Sequence, residues 1–380
     1  MKYETFRFDE VTINFDRKRI PLSAKQRSER HGTYRYYGAQ GIIDYVNDYI
    51  FDGTYLLIAE DGENLKSQKQ NIAQIAKGKF WVNNHAHIVQ TNERCDLRYL
   101  HYLINSIDLS GYITGSAQPK LSQANLNAVT LQLPSTDEQK KIVAILGALD
   151  DKIELNNKIN ENLEQQAQTF FQSLFIENVN PEWCQGTIED LGTVVGGSTP
   201  SKAKPEYYTE HGIAWITPKD LSLNKSKFIA HGENDITELG LKNSSASIMP
   251  AGTVLFSSRA PIGYMAIASG EVTTNQGFKS VVPKPEIGAP FVYYFLKNAL
   301  PVIEGMASGS TFKEVSGSTM KNVPAFIPDK DTLMRFNNFC EPIFAQQRTL
   351  EEQNQSFAAL RDTLLPKLMS GKIDVADIDI

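Results

Sequence analysis

The sequence predicts an α+β protein in which two repeated globules are separated by two long helices, the helices forming an antiparallel coiled coil. Three observations predict this. The second half of the chain repeats the first, each repeat ends in a long heptad stripe, and the segment before each stripe consists of short β-branched and aromatic runs broken by turn signals.

The repeat is clearest where "GSAQPKLSQANLNAVTLQLPSTDEQ" from Gly115 lies over "GSTFKEVSGSTMKNVPAFIPDKDTL" from Gly309, an offset of 194 positions. Gly115 and Ser116 match Gly309 and Ser310, Ser122 matches Ser316, Val129 matches Val323 and Pro134 matches Pro328. The offset holds without a gap to Leu174 over Leu368. Upstream the register drifts, with "FDGTYLLI" at Phe51 echoing "PAGTVLFS" at Pro250, and "NNHAHIV" at Asn83 echoing "TNQGFKSV" at Thr274. In that register Gln276 and Phe278 stand where His85 and His87 stand. Two copies are too few for a solenoid, so the chain is a tandem duplication. The paired Gly–Ser positions mark either a phosphate contact through backbone N–H or a tight turn.

After Pro134 the period changes to helical. Ser135 with Glu138 has the form of a capping box. Apolar residues then recur at alternating spacings of four and three, as expected of a coiled-coil seam. The seam reads Leu146, Leu149, Ile153, Asn156, Asn160 and Leu163, continuing to Phe170 and Leu174. In the second copy it reads Ile343, Leu350, Asn354, Phe357 and Leu364, with Gln347 and Arg361 as departures. A helix from Thr136 to Phe175 is about 60 Å long at 1.5 Å per residue. Such a stripe is too long to hide against one small globule, so the helices are expected to pair, with the asparagines as polar layers setting register. A short helix is expected before each Gly–Ser, over 97–107 and 291–299. The domains are then 1–134, 135–178, 179–328 and 329–380.

Composition is that of a globular protein, with 41% hydrophobic residues and no apolar run of membrane-spanning length. Cys95, Cys184 and Cys340 form no CxxC pair, and the charged N-terminus resembles no signal peptide, so a reducing cytoplasm is expected. The net charge of −6 is unevenly spread. Residues 1–134 hold 16 basic and 14 acidic side chains, whereas 135–180 hold 4 and 8. Between Arg17 and Arg35 seven basic residues face the single acid Glu29, with tyrosines interleaved at the end. Such a run is either a solvated face or a nucleic-acid contact.

Catalytic signatures are missing. The chain has no proline pair, hence no Asn/Asp-Pro-Pro-aromatic motif, and no GxGxxG loop. "GGSTPSK" lacks the glycine that precedes the lysine of a P-loop, and Glu138–Lys140 fits a helix cap better than a nuclease half-motif. His85 and His87, read as neighbours on one side of a strand, are candidates for metal or for hydrogen bonding, with no third ligand apparent.

Several runs resemble the specificity subunit of type I restriction–modification systems. They are "GTYRYYGAQGIIDYV", "YIFDGTYLLIAEDG", "LPSTDEQKKIVAILGALDDKIELNNKINENLE", "GGSTPSK", "WITPKDL", "TNQGFKSVV" and "LLPKLMSGKIDV". The resemblance implies that the globules are target-recognition domains, each reading one half of a bipartite asymmetric site in double-stranded DNA. The helices then act as a ruler and dock two methyltransferase subunits. It implies a non-catalytic chain with no cofactor of its own, S-adenosylmethionine being carried by the methyltransferases, and it leaves open whether a restriction subunit joins. Candidate DNA contacts are Lys18, Arg19, Lys25, Arg27, Arg30, Arg35, Tyr37 and Gln40 in the first globule. In the second they are Thr199, Lys202, Lys219, Ser258, Arg259, Gln276 and Lys279. The rival reading is a coiled-coil scaffold that holds other proteins and touches no DNA.

Overall fold

The computed structural model of the chain describes residues 1–67, 70–309, 313–376 and 378. Two compact units emerge, Met1–Ile153 with Ser356–Ile380, and Glu154–Gln355. Both long helices contribute to both units.

The first unit is built on a six-stranded sheet of order Thr12–Asn14, Ala86–Thr91, Phe51–Ala59, Ala73–Val82, His31–Gly38, Gly41–Val46. The strand Phe51–Ala59 shows why alternation produces two cores. Leu56 and Ile58 join the cluster that includes Tyr99, Leu100, Leu131 and Ile142, whereas Leu57 faces Phe51, Phe80 and Ile88. The helix Leu97–Ser106, capped by Asp96 accepting from Arg98 and Tyr99 N–H, covers the first of these faces.

The second unit repeats this plan with changes. Its five-stranded sheet has the order Gly192–Gly196, Lys279–Pro283, Val254–Ser258, Ile262–Ala268, Phe228–Ile229, and a four-stranded sheet around Ile213–Ile216 stands beside it. The helix expected over 291–299 spans Ala289–Met306, running on through Pro301.

The duplication is visible in detail. Glu4–Arg7 pairs with Thr130–Leu133, and Cys184–Thr187 pairs with Pro324–Ile327 in the same antiparallel sense. Ser122 Oγ accepts from Asn125 N–H and Ser316 Oγ from Thr319 N–H, capping equivalent short helices. Thr114 bridges Lys120 as Ser308 bridges Glu314, closing a hairpin in each copy. Gly115 (φ 85°) and Gly309 (φ 127°) start these hairpins in the left-handed region. A Cβ on Gly115 would lie 2.2 Å from Gln118 O, so the turn accounts for this glycine. Ser310 lies outside the described residues.

The central helix spans Thr136–Gln172 and the distal helix Lys330–Met369, the latter passing through Pro342 and Pro366. The capping box forms, Ser135 N–H donating to Glu138 Oε2 at 3.0 Å and Glu138 N–H to Ser135 Oγ at 3.4 Å. Asp329 plays the same part in the second copy, accepting from Thr332 N–H. Within each unit the helices run antiparallel. In the first, Ile142 and Leu146 share a core with Leu364 and Leu368, and Arg361 meets Asp150 at 2.9 Å. In the second, Asn156 donates to Asn354 Oδ1 at 3.0 Å, and the Phe170 ring packs at a tilt against those of Phe336 and Phe339. Every seam residue from Leu146 to Leu163 and from Ile343 to Leu364 is buried or half-buried.

Three details differ from the expected seam. Asn160 enters its layer through its backbone carbonyl, which accepts from Gln347 Nε2 at 3.2 Å. Gln347 and Arg361, which break the apolar pattern, are bonded polar positions. Phe170 and Leu174 are half-buried while Phe171 and Phe175 are buried: from Ala167 the inward face steps by four to Phe171 and again to Phe175, so it has left the four–three spacing before the π-type turn over Ser173–Glu177 begins.

Candidate nucleic-acid interface

A hydrogen-bond frame positions the candidate residues, and it is the same in both units. In the first, Asn83 N–H donates to Tyr37 O, Asn83 Oδ1 accepts from His85 N–H, Glu60 N–H donates to His85 O, and Leu121 N–H donates to Glu60 O. In the second, Asn275 N–H donates to Ile216 O, Asn275 Oδ1 accepts from Gly277 N–H, Ser258 N–H donates to Gly277 O, and Val315 N–H donates to Ser258 O. His85 therefore corresponds to Gly277 and His87 to Lys279. The expected register, with Gln276 and Phe278 in those places, is off by one residue.

The frame also separates the two histidines. His85 lies in the turn before the strand Ala86–Thr91 and is exposed, its Nδ1 2.6 Å from Asp61 Oδ2. His87 lies in the strand and is buried, its Nδ1 2.6 Å from Asp16 Oδ2 and its Nε2 2.8 Å from Leu121 O. They do not share a face, and among the described residues no group of three or more His, Cys, Asp or Glu is placed to hold a metal.

In the second unit the candidates converge. Thr199, Lys202, Lys219 and Gln276 line one recess, floored by Trp215 and Asp220. Thr199 Oγ1 donates to Gln276 Oε1, and Lys279 Nζ donates to Gln276 O at 3.4 Å. Lys279 and Arg259 both approach the carboxylate of Glu314, at 3.7 and 3.4 Å. Burial, and then Arg259, pull the Lys279 ammonium below its ordinary range against the pull of Glu314. Ser258 is different. It is fully buried and its hydroxyl donates to Gly277 O at 3.1 Å, so it belongs to the frame and presents nothing to a ligand.

In the first unit the candidates separate. Lys18, Lys25, Arg30, Arg35 and Gln40 are exposed. Arg27 is half-buried, bound to Asp44 at 2.7 Å and to Leu22 O, with its guanidinium over Tyr36. Arg19 is enclosed. Its guanidinium meets Glu60 at 2.7 Å, Ala86 O at 2.9 Å and Asp16 at 3.4 Å. Burial alone would raise the carboxyls of Asp16 and Glu60, yet His87 and Arg19 outweigh it and hold both below the ordinary range. Arg19 thus ties loop to sheet from inside. Tyr37 is also core, its ring edge-on to Phe80 at 5.5 Å.

Charge counting along the chain missed Asp61, Lys120 and Glu314. Asp61 and Lys120 bridge one hairpin, Arg259 and Glu314 the other. For Lys120 and Glu314 the available signal was their equivalent place after Gly115 and Gly309. Among the described residues no helix is long and apolar enough to cross a membrane.

Comparison with known proteins agrees with this architecture. The sequence profile of the type I restriction modification DNA specificity domain matches residues 1–165 and 180–354. The type I restriction enzyme MjaIX specificity subunit of Methanocaldococcus jannaschii is 42% identical over 166 residues, which cover 43% of this chain and 38% of that protein. The HindI specificity subunit of Haemophilus influenzae is 24% identical over 404 residues, covering 85% of this chain and 84% of that one. The crystal structure of the type I restriction–modification S subunit from M. genitalium shares the fold, with a TM-score of 0.64 at 14% identity over 97% of this chain and 96% of that one. With both of its repeats matched by the profile, the chain belongs to the type I restriction–modification DNA specificity family.

Proposed function

We propose that the chain is the DNA-reading subunit of a type I restriction–modification complex, each globule reading one half of a bipartite asymmetric site. The helices set the distance between the halves and dock two methyltransferase subunits, which carry S-adenosylmethionine, while this chain holds no cofactor and catalyses nothing. A restriction subunit is the further partner of a complex that cuts. One observation carries the reading. A single hydrogen-bond frame recurs in both units while the exposed side chains upon it differ, as a protein that reads two unlike half-sites requires. Lys18, Lys25, Arg30, Arg35, Lys202 and Lys219 supply backbone phosphate contacts in this reading, and Gln40, Thr199, Arg259, Gln276 and Lys279 face bases.

Modification-sensitive sequencing of the host genome with the gene present and deleted tests the proposal. Adenine methylation at one two-part asymmetric motif is expected to vanish on deletion, and an unchanged map sinks the proposal in favour of the scaffold reading. Binding of the assembled complex to duplex DNA is also expected to weaken by about 10³–10⁵-fold between 50 and 200 mM salt if roughly 6–10 phosphates are contacted, because each contact releases counterions. A flat salt response argues for the scaffold.

A further inference from the structure

The two hairpins that start at Gly115 and Gly309 are held against the sheet by ion pairs of opposite polarity. In the first unit the hairpin supplies the cation and the strand end supplies the acids. Lys120 lies 3.2 Å from Glu60, and the next residue, Asp61, bridges Lys120 through the backbone and holds the exposed ring of His85. In the second unit the hairpin supplies the acid, Glu314, and the strand end supplies the cation, Arg259, with Lys279 beside it. Asp61 and Arg259 occupy the same place. Each directly follows the residue whose N–H donates to the His85 or Gly277 carbonyl, and each bridges the equivalent hairpin residue.

The fold does not require this inversion, since a pair of either polarity would close the hairpin. Nor does the stability of the Arg259–Glu314 pair explain it, because a pair with both side chains more than a third exposed contributes little. The Arg259 side chain is 38% exposed and that of His85 50%. What the inversion does change is hydrogen-bonding chemistry. A guanidinium offers five donors and no acceptor, whereas a carboxylate only accepts. In the major groove guanine presents two acceptors, O6 and N7, while adenine N6 and cytosine N4 present donors.

Resting on the DNA-reading function above, we propose that Asp61 with His85, and Arg259, are equivalent specificity-determining positions in the two half-sites. Arg259 reads a guanine in the half-site of the second unit. The Asp61–His85 pair reads a base with an exocyclic amino group, adenine or cytosine, in the half-site of the first. Gln276 is exposed, and its backbone carbonyl accepts from Lys279, which shares the Glu314 carboxylate with Arg259.

The test is a methylation map of the assembled complex carrying Arg259→Gln or Asp61→Asn. Arg259→Gln is expected to slow methylation of the original motif by roughly 5- to 150-fold, the range for one bidentate base contact. It should relax one guanine, or turn it to adenine, in one half of the motif only. Asp61→Asn is expected to relax one position in the other half only. Both side chains are partly exposed, and melting curves superimposed on the parent's would show that folding is intact. An unchanged motif for either variant overturns the inference, as does an even loss across both halves, which would mark phosphate contact or structural damage. Failure of the function itself looks different, because the unmutated complex would then write no two-part motif.

Discussion

Replacing Lys227 with methionine is expected to destabilise the second unit by about 3–5 kcal/mol, the loss seen when one partner of a buried ion pair is removed. The Lys227 side chain is 7% exposed. Its ammonium donates to Glu164, to Gln347 Oε1 at 2.7 Å and to Tyr294 Oη at 3.2 Å, and it lies over the ring of Phe344. One side chain therefore joins the strand that starts at Phe228 to the central helix, the distal helix and the helix Ala289–Met306. Glu351 strengthens the junction by accepting from the N–H groups of Lys227 and Phe228. In Lys227→Met the Glu164 carboxylate keeps only Lys297, at 2.8 Å, and Tyr294. The double variant Lys227→Met, Glu164→Leu should recover much of the loss, because it removes both charges together. Denaturant unfolding followed by Trp183 and Trp215 fluorescence measures both. A loss below about 1 kcal/mol in the single variant would put the junction on the scale of an exposed pair.

The same pair has a pH signature. Burial, the largest single influence on Glu164, raises its carboxyl, but Lys227 and Lys297 outweigh burial and bring it to about 2, against an ordinary 4.5. A carboxyl held below its unfolded value contributes stability that is complete above the unfolded value and is lost as pH falls toward the folded one. Stability of the second unit is therefore expected to fall between about pH 5 and pH 2, and Glu164→Gln should flatten that fall. Equal acid profiles for parent and variant would show that Glu164 carries no such contribution.

The helices and the duplication were legible in the sequence because both rest on local, periodic signals. Ser135 and Glu138 announce a cap three residues apart, and the seam from Leu146 to Leu163 repeats its spacing over successive heptads. Gly115 and Gly309 mark equivalent hairpins because both adopt a positive φ. The candidate interface was legible only in part. Arg19 looks like any other residue of a basic run until the fold brings Glu60 against it from 41 positions away. Tyr37 is an interleaved aromatic in one dimension and a core ring in three. The register between His85 and Gly277 rests on backbone hydrogen bonds and on one shared side chain, Asn83 or Asn275, and the neighbouring Asn84 makes that match ambiguous by one residue in the sequence. Asp61 and Glu314 were passed over because an acid beside a nucleic-acid surface counts against binding in a charge tally, whereas in the structure each organises the cations or rings around it.

The seam's end gives the other large expected effect, and it distinguishes the heptad reading from the observed packing. Extrapolating the stripe puts Phe170 and Leu174 inward, yet Phe171 and Phe175 are the buried residues instead, the latter fully so within the π-type turn over Ser173–Glu177. Its ring meets Phe171, Trp183, Phe291 and Phe336 at centroid distances of 5.1, 5.7, 4.9 and 5.2 Å. These neighbours come from the central helix, the segment after it, the helix Ala289–Met306 and the distal helix. Rings fixed by separate elements cannot all move into the space a missing phenyl leaves, so the cavity stays open. Phe175→Ala is accordingly expected to cost about 3–5 kcal/mol. Phe170 is half-buried, its ring 4.5 Å from that of the partly exposed Phe339 and covered by the guanidinium of Arg335. Phe170→Ala leaves a space that solvent enters and should cost less than half as much. Denaturant unfolding read by Trp183, which touches Phe175, ranks the two variants directly. Equal losses, or a larger one at Phe170, would return the inward face to the plain heptad register.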